Sequence, residues 1–276
     1  MSQCADNQLI AVMVARWNNH KLTMTMIRDI LMYMDKTYCE IKSKMPSYDL
    51  GIARFKVIVA MNSHVLGRLR TELLSNIKRE REHEHIDQSL MRNCLRMLVD
   101  LDGPSAAHQH HRSSSSSLNH GSGSGADKGG GGGRDLLYDA EFEVDFIRET
   151  REFYGKESAI YITENSVGEY LVKVEQRLSE EKERADSYIP KRYTRDFVMK
   201  TVEHELLGRF QQQLIDNKDS GTMHMFRKHR VADLKRMYRL FERVDLKNTL
   251  LQKVWCVVFG GLVLWRGFML NGGVMV

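Results

Sequence analysis

Between Met26 and Asp35 the chain reads MIRDILMYMD, with Ile27, Ile30, Leu31, Met34 and then Tyr38 at steps of three and four. That spacing gathers them on one stripe of an α-helix and leaves Arg28, Asp29, Asp35 and Lys36 off it. The pattern predicts a helix that turns this stripe to a protein core. Upstream, Leu9, Val12, Met13 and Arg16 lead into Trp17, so helix is expected from Gln8 to about Cys39, with Pro46 closing the region. A second tract runs from Tyr48 to about Arg79, where Ile58, Met61, Val65, Leu69, Leu73 and Ile77 keep helical spacing. Asn62 and Ser63 are expected to divide it, because one helix of that length is unusual in a globular domain. Asp87 stands where an N-cap belongs, ahead of Leu90, Cys94, Leu98 and Leu101.

Helical patterning stops at Gly103 and resumes near Tyr138, continuing through Phe142, Phe146, Phe153 and Tyr154. Ser166 and Glu169 then have the spacing of a capping box, and Val167, Tyr170, Leu171, Val174 and Leu178 form the stripe of the helix they open. The run EQRLSEEKERAD on that helix, with Glu180 four residues before Arg184, reads as a charged face in solvent. After Pro190, Val198, Val202, Leu206 and Phe210 recur every fourth residue. A turn at Ser220 and Gly221 precedes a short helix through Met223 and Phe226, then a helix carrying Leu234, Met237, Phe241 and Val244.

Composition sharpens this picture. Three prolines in 276 residues, and no clear alternation of apolar with polar residues, make the chain all-α. With 42% apolar residues it is able to bury a sizeable core. The 41 basic and 36 acidic residues leave a net +5 mixed along helices, not gathered into a block, which argues against nucleic acid as a partner. Cys4, Cys39, Cys94 and Cys256 form no CxxC pair, so neither a disulfide framework nor a cysteine zinc site is expected, and a reducing compartment fits best. The N-terminus lacks the features of a secretory signal. From Gly103 to Arg134 the chain is rich in Ser, Gly and His, with too little apolar surface to offset the entropy of ordering it, and is expected to be a mobile insertion. Its histidines lack acidic or cysteine partners at fixed spacing, so no metal site is expected there. No phosphate loop, GxSxG elbow or zincin helix occurs, His204 and Glu205 lacking a second histidine. No catalytic residue and no cofactor is expected.

The polar spellings carry more than the periodicity does. MIRDILMYMD from Met26, SYDLG from Ser47, RERE from Arg79 with Asp87 after it, RNCLRML from Arg92, EYLVKVEQRLSEEKER from Glu169, TVEHELL from Thr201 and DLKRMYRLFERV from Asp233 occur in the order of landmarks in the cullin N-terminal arm. Over Trp17 to Val244, apart from the insertion, the chain resembles cullins, most closely the class that recruits substrates through BTB-domain adaptors. The resemblance implies an elongated stack of helical cullin repeats, each burying a face on its neighbours. It implies residues 1–80 as the end of a first repeat and the first helix of a second, 81–230 as the second repeat interrupted at 103–134, 231–253 as the start of a third, and 254–276 as a divergent apolar tail. It also implies a non-catalytic scaffold of a cullin-RING ubiquitin ligase that holds a BTB adaptor, with Tyr48, Leu50 and Phe55 as adaptor-contact residues.

Three departures shape the remaining expectations. The family's earlier adaptor-binding helix would lie before Met1, and Arg54 and Val57 differ from the usual spelling. The C-terminal region that in the family binds the RING-finger subunit is absent, so that subunit is not an expected partner and the chain is expected to be a fragment. The tail VWCVVFGGLVLWRGFMLNGGVMV from Val254 is long enough to span a bilayer, but Arg266 and five glycines oppose this, and an interrupted or wrongly continued reading frame is favoured. Localisation is expected to be cytoplasmic or nuclear, with membrane contact only if the tail is genuine. The competing function is a membrane-tethered helical interaction module.

Overall fold

The computed structural model describes residues 8–102 and 137–245. Every regular element among them is helical, in agreement with the all-α expectation. The chain divides into two compact units, residues 1–146 with 187–190, and residues 147–186 with 191–276.

In the first unit, α1 (Gln8–Ile30) runs on through a turn at Met32–Met34 and a π-helical turn at Asp35–Cys39. Backbone bonds from Leu31 N to Ile27 O and from Asp35 N to Leu31 O keep this run continuous. Next come α2 (Ser47–Phe55) with a π-helical turn at Lys56–Ala60, α3 (Ser63–Arg81) and α4 (Gln88–Leu101). The division at Asn62 is as expected: its side chain accepts from the amides of His64 and Val65 at the first turn of α3. Asp87 caps α4 through the Leu90 amide at 2.9 Å. Helix α1 packs against α2, α3 and α4. Ile10, Trp17, Leu69, Leu73, Ile77, Met91, Cys94, Leu95 and Leu98 are buried in this unit. After the undescribed segment, Tyr138, Phe142 and Phe146 form a buried aromatic ladder with ring centroids 5.4 and 5.2 Å apart, and the Arg81 guanidinium lies over Phe146. The two ends of that segment are tied by Asp102, whose carboxylate accepts from the amides of Leu137 (2.7 Å) and Tyr138 (3.2 Å) and from Lys56 Nζ (2.8 Å).

The remaining helices are α5 (Val144–Glu164), preceded by a π-helical turn at Asp139–Glu143, α6 (Val167–Tyr188), α7 (Arg192–Glu203), a π-helical turn at His204–Gly208, α8 (Gln211–Asp216), α9 (Thr222–Arg227) and α10 (Val231–Val244). The capping box forms as spaced: Glu169 accepts from the Ser166 amide and hydroxyl, and the Ser166 hydroxyl accepts from the Glu169 amide. Val167, Tyr170, Leu171, Val174 and Leu178 are buried, and the Tyr170 hydroxyl donates to Leu206 O at 2.6 Å.

Two expectations are corrected. The stripe in MIRDILMYMD faces the core only in part: Ile27 and Leu31 are half-buried, whereas Ile30 is 80% exposed and Met34 and Tyr38 are exposed, and the fully buried positions, Met24 and Cys39, fall before and after the run. The charged run of α6 is not all in solvent. Arg177, Glu181 and Arg184 are buried, Arg184 bonding the Glu181 carboxylate at 2.8 Å and both meeting the Tyr154 hydroxyl. Full pairing is what lets these charges leave water.

The Ser/Gly/His insertion, Cys4, Cys256 and the tail from Val254 lie outside the described residues. Cys39 and Cys94 are free thiols, both buried. Among the described residues, no group of three or more His, Cys, Asp or Glu could hold a metal ion, and no helix is long and apolar enough to cross a membrane.

Candidate functional site

Helix α2 carries the residues expected to meet a partner, and it is pinned to α1 at three heights. At its start, the Asp35 carboxylate accepts from the Ser47 hydroxyl at 2.7 Å and from the Ser47 amide at 3.0 Å. The hydroxyl and then the amide hold the Asp35 carboxyl below its ordinary 3.8. One turn on, a ring nitrogen of His20 sits 3.0 Å from Gly51 O. Gly51 lets the two helices approach closely: a Cβ at this position would fall 2.3 Å from Met24 Cε and 2.5 Å from its sulfur, so the end of the Met24 side chain would have to move to admit one. At the far end Phe55 is buried, its ring 5.2 Å from Trp17 and 4.9 Å from His20. Ile52 is buried beside it.

The three expected contact residues are therefore not brought to one face. Tyr48, Ile52 and Phe55 are spaced i, i+4, i+7 and share the side turned to α1. Tyr48 is half-buried there, with the Arg28 guanidinium 5.8 Å from its ring centroid. Leu50 is exposed on the opposite side. Phe55 holds the helix in place and offers little to a visiting protein.

What stands on the outer side with Leu50 is a group that sequence reasoning missed. Arg54, Val57 (62% exposed), Ile58 (67% exposed) and Met61 continue from it at steps of three and four. Ile58 and Met61 are read from the sequence as the start of a core stripe leading to Leu69. The π-helical turn at Lys56–Ala60 rotates them outward instead, while Ala60 goes in. The signal available was the competing series Leu50, Arg54, Val57 or Ile58, Met61, whose spacing is as regular as the one chosen. The result is a rigid helix with a mostly apolar outer stripe interrupted by one guanidinium. Such a surface binds another protein by burying apolar area, and it holds no group placed for bond chemistry.

Comparison with known proteins adds a lineage to this geometry. Residues 1–258 match the family model described as the cullin alpha solenoid domain. Cullin-3 of Dictyostelium discoideum is 32% identical over 245 residues, covering 89% of this chain and 28% of the relative. Cullin-3A of Arabidopsis thaliana is 32% identical over 229 residues, 83% of this chain and 27% of the relative. Human Cullin-4A is 30% identical over 240 residues, 87% of this chain and 27% of the relative. The chain thus spans a little over a quarter of the length of the curated relatives it matches.

Proposed function

The chain belongs to the cullin family, and from that premise we propose that it is a non-catalytic scaffold segment of a cullin-RING ubiquitin ligase that docks a BTB-domain substrate adaptor. The similarity to two proteins named Cullin-3 supports the adaptor class, and the division into repeat segments near residues 80 and 230 belongs to the same proposal. The observation that carries it is the outer stripe of α2: Leu50, Val57, Ile58 and Met61 are exposed on a helix that Asp35, His20 and Phe55 hold rigid. A rigid helix face loses little conformational entropy on binding, so more of the apolar burial appears as affinity. Tyr48, on the side turned to α1 with the Arg28 guanidinium 5.8 Å from its ring centroid, has the smaller part in this docking.

Binding of the chain to a panel of purified BTB-domain adaptors tests this. At least one should bind, and Leu50→Asp combined with Ile58→Asp should weaken it by about tenfold or more while leaving the melting temperature unchanged, since both positions are exposed. Tyr48→Ala should produce a smaller loss. Failure of every BTB domain to bind, or a complex indifferent to the double substitution, overturns the proposal.

A further inference from the structure

An ion pair sits on the inner side of the helical run that carries the docking stripe, where an apolar residue is the ordinary occupant. Lys56 follows the buried Ile52 by four positions and so shares the side of α2 turned to the rest of the unit. Its ammonium lies 2.8 Å from Asp102 Oδ1, with the lysine side chain 23% and the aspartate side chain 7% exposed. Lysine is rarely drawn this far out of water, and a charge so placed depends on its partner. Asp102 is fixed independently of Lys56, because it ends α4 and accepts from the amides of Leu137 and Tyr138. The pair thus ties a flexible side chain to a rigid acceptor.

The residues after Lys56 have two competing rotations. Carried on without a break, α-helical spacing sets Ile58 on the side of the buried Leu69 and Leu73, where its apolar surface would leave water. In the structure Met61 N bonds Lys56 O at 2.8 Å, closing the π-helical turn Lys56–Ala60, and Ile58 is exposed. A π-helical turn is rare and needs a local reason. At 100° per residue Ile58 stands about 200° round from Lys56, somewhat less through the wider turn. A lysine held at Asp102 therefore turns Ile58 to the opposite side, into the outer stripe with Leu50 and Val57. We infer that Lys56 is a positioning residue for adaptor docking, its tie to Asp102 holding this turn in the rotation that presents Val57 and Ile58. This role rests on the docking reading of α2 and assigns the rotation of half that surface to one ion pair.

Two readouts on the full chain test the inference: affinity for a BTB domain that binds it, and the reactivity of the thiol introduced by Ile58→Cys. Lys56→Ala and Lys56→Glu should each weaken the complex by about fivefold or more, at a temperature where circular dichroism shows the variants fully folded. Lys56→Arg, whose guanidinium pairs with the same carboxylate, should restore affinity to within about twofold. With Ile58→Cys present, Lys56→Ala and Lys56→Glu should slow maleimide labelling at position 58 by about fivefold or more, by site-resolved mass spectrometry, and Lys56→Arg should not. Lys78→Ala, at an exposed lysine of α3, should change neither readout and controls for loss of charge alone. Should Lys56→Glu fail to fold, Lys56→Ala carries the test. A complex lost on Leu50→Asp with Ile58→Asp but indifferent to Lys56→Ala overturns the inference and leaves the docking reading standing, and unchanged labelling at position 58 overturns it whatever binds. Failure of every BTB domain to bind removes the docking reading, and with it the role given to Lys56.

Discussion

Replacing Asp102 by Ala removes three bonds at once, and their loss can be worked from the geometry. The carboxylate accepts from the amides of Leu137 and Tyr138 at 2.7 and 3.2 Å, so it acts as the N-terminal cap of the helical turn that follows the undescribed segment. Loss of such a cap costs about 0.5–2 kcal/mol. The same carboxylate holds Lys56 Nζ at 2.8 Å, with the acid side chain 7% and the lysine 23% exposed. Pairs this sheltered are worth more than the ~0–1 kcal/mol of a surface bridge, and the unpaired lysine retains enough access to water to limit the penalty. The expected total is about 3 kcal/mol, a fall in melting temperature of about 6–12 °C for a chain of this size. Asp102→Asn, which keeps one accepting oxygen but no charge, should lose about half as much. Amide hydrogen exchange gives the local readout: Leu137 and Tyr138 should exchange faster in Asp102→Ala, and Lys56→Met should be non-additive with it by at least about 0.5 kcal/mol. A loss under about 0.5 kcal/mol with unchanged exchange at these two amides would falsify the clamp.

Other expectations follow from the same packing. Phe55→Ala empties the slot between Trp17 and His20 and should destabilise the protein by about 3 kcal/mol, whereas Leu50→Ala should stay within about 0.5 kcal/mol, as read by urea denaturation. Equal effects would mean that the inner and outer sides of α2 are misassigned. The Asp35 carboxyl, held below 3.8 by Ser47, contributes stability that is present above that value and fades as pH falls through the lower folded value. Asp35→Asn should therefore flatten the acid limb of the melting-temperature profile below about pH 4 and leave its shape at higher pH unchanged; an acid limb as steep as before would sink this reading. Burial, with the Glu72 charge second, pushes the Cys94 thiol up to about 12, so Cys94 should resist maleimide at pH 8 until urea unfolds the chain, by site-resolved mass spectrometry. Labelling of Cys94 in the native protein would contradict its burial.

Much of this fold is written locally. The caps at Asn62, Asp87 and Ser166 depend on a side chain reaching amides two or three residues away, so the sequence shows both partners. The core positions of α6 were equally legible, because Val167, Tyr170, Leu171, Val174 and Leu178 have one apolar face and one only. What could not be read depends on partners distant in sequence. Arg184 and Glu181 look like a solvated i, i+3 pair until Tyr154, about thirty residues earlier, closes over them with a hydroxyl bonded to both. Tyr48 and Leu50 look equivalent in SYDLG, and only the seat of the helix against α1 decides that one turns inward and the other out. The family landmarks, by contrast, are spellings, and spelling survives where the facing of a side chain does not.

The same distinction decides which residues can report on partner binding. Periodicity counts residues at a fixed angle, and a π-helical turn breaks that count by taking more residues per turn. Lys56–Ala60 does so immediately after α2, where Val57 and Ile58 face outward although a straight α-helical reading aligns Ile58 with the buried Leu69 and Leu73. Asp35–Cys39 does so at the end of the α1 run, where Cys39 is buried and Tyr38 exposed. At both turns a residue that the sequence pattern assigns to the core, Ile58 at one and Tyr38 at the other, is exposed instead. A variant at Phe55 removes a support of α2 and weakens any interaction indirectly, through stability. One at Leu50 or Ile58 alters only the outer stripe, so a binding loss there with an unchanged melting temperature identifies the docking face itself.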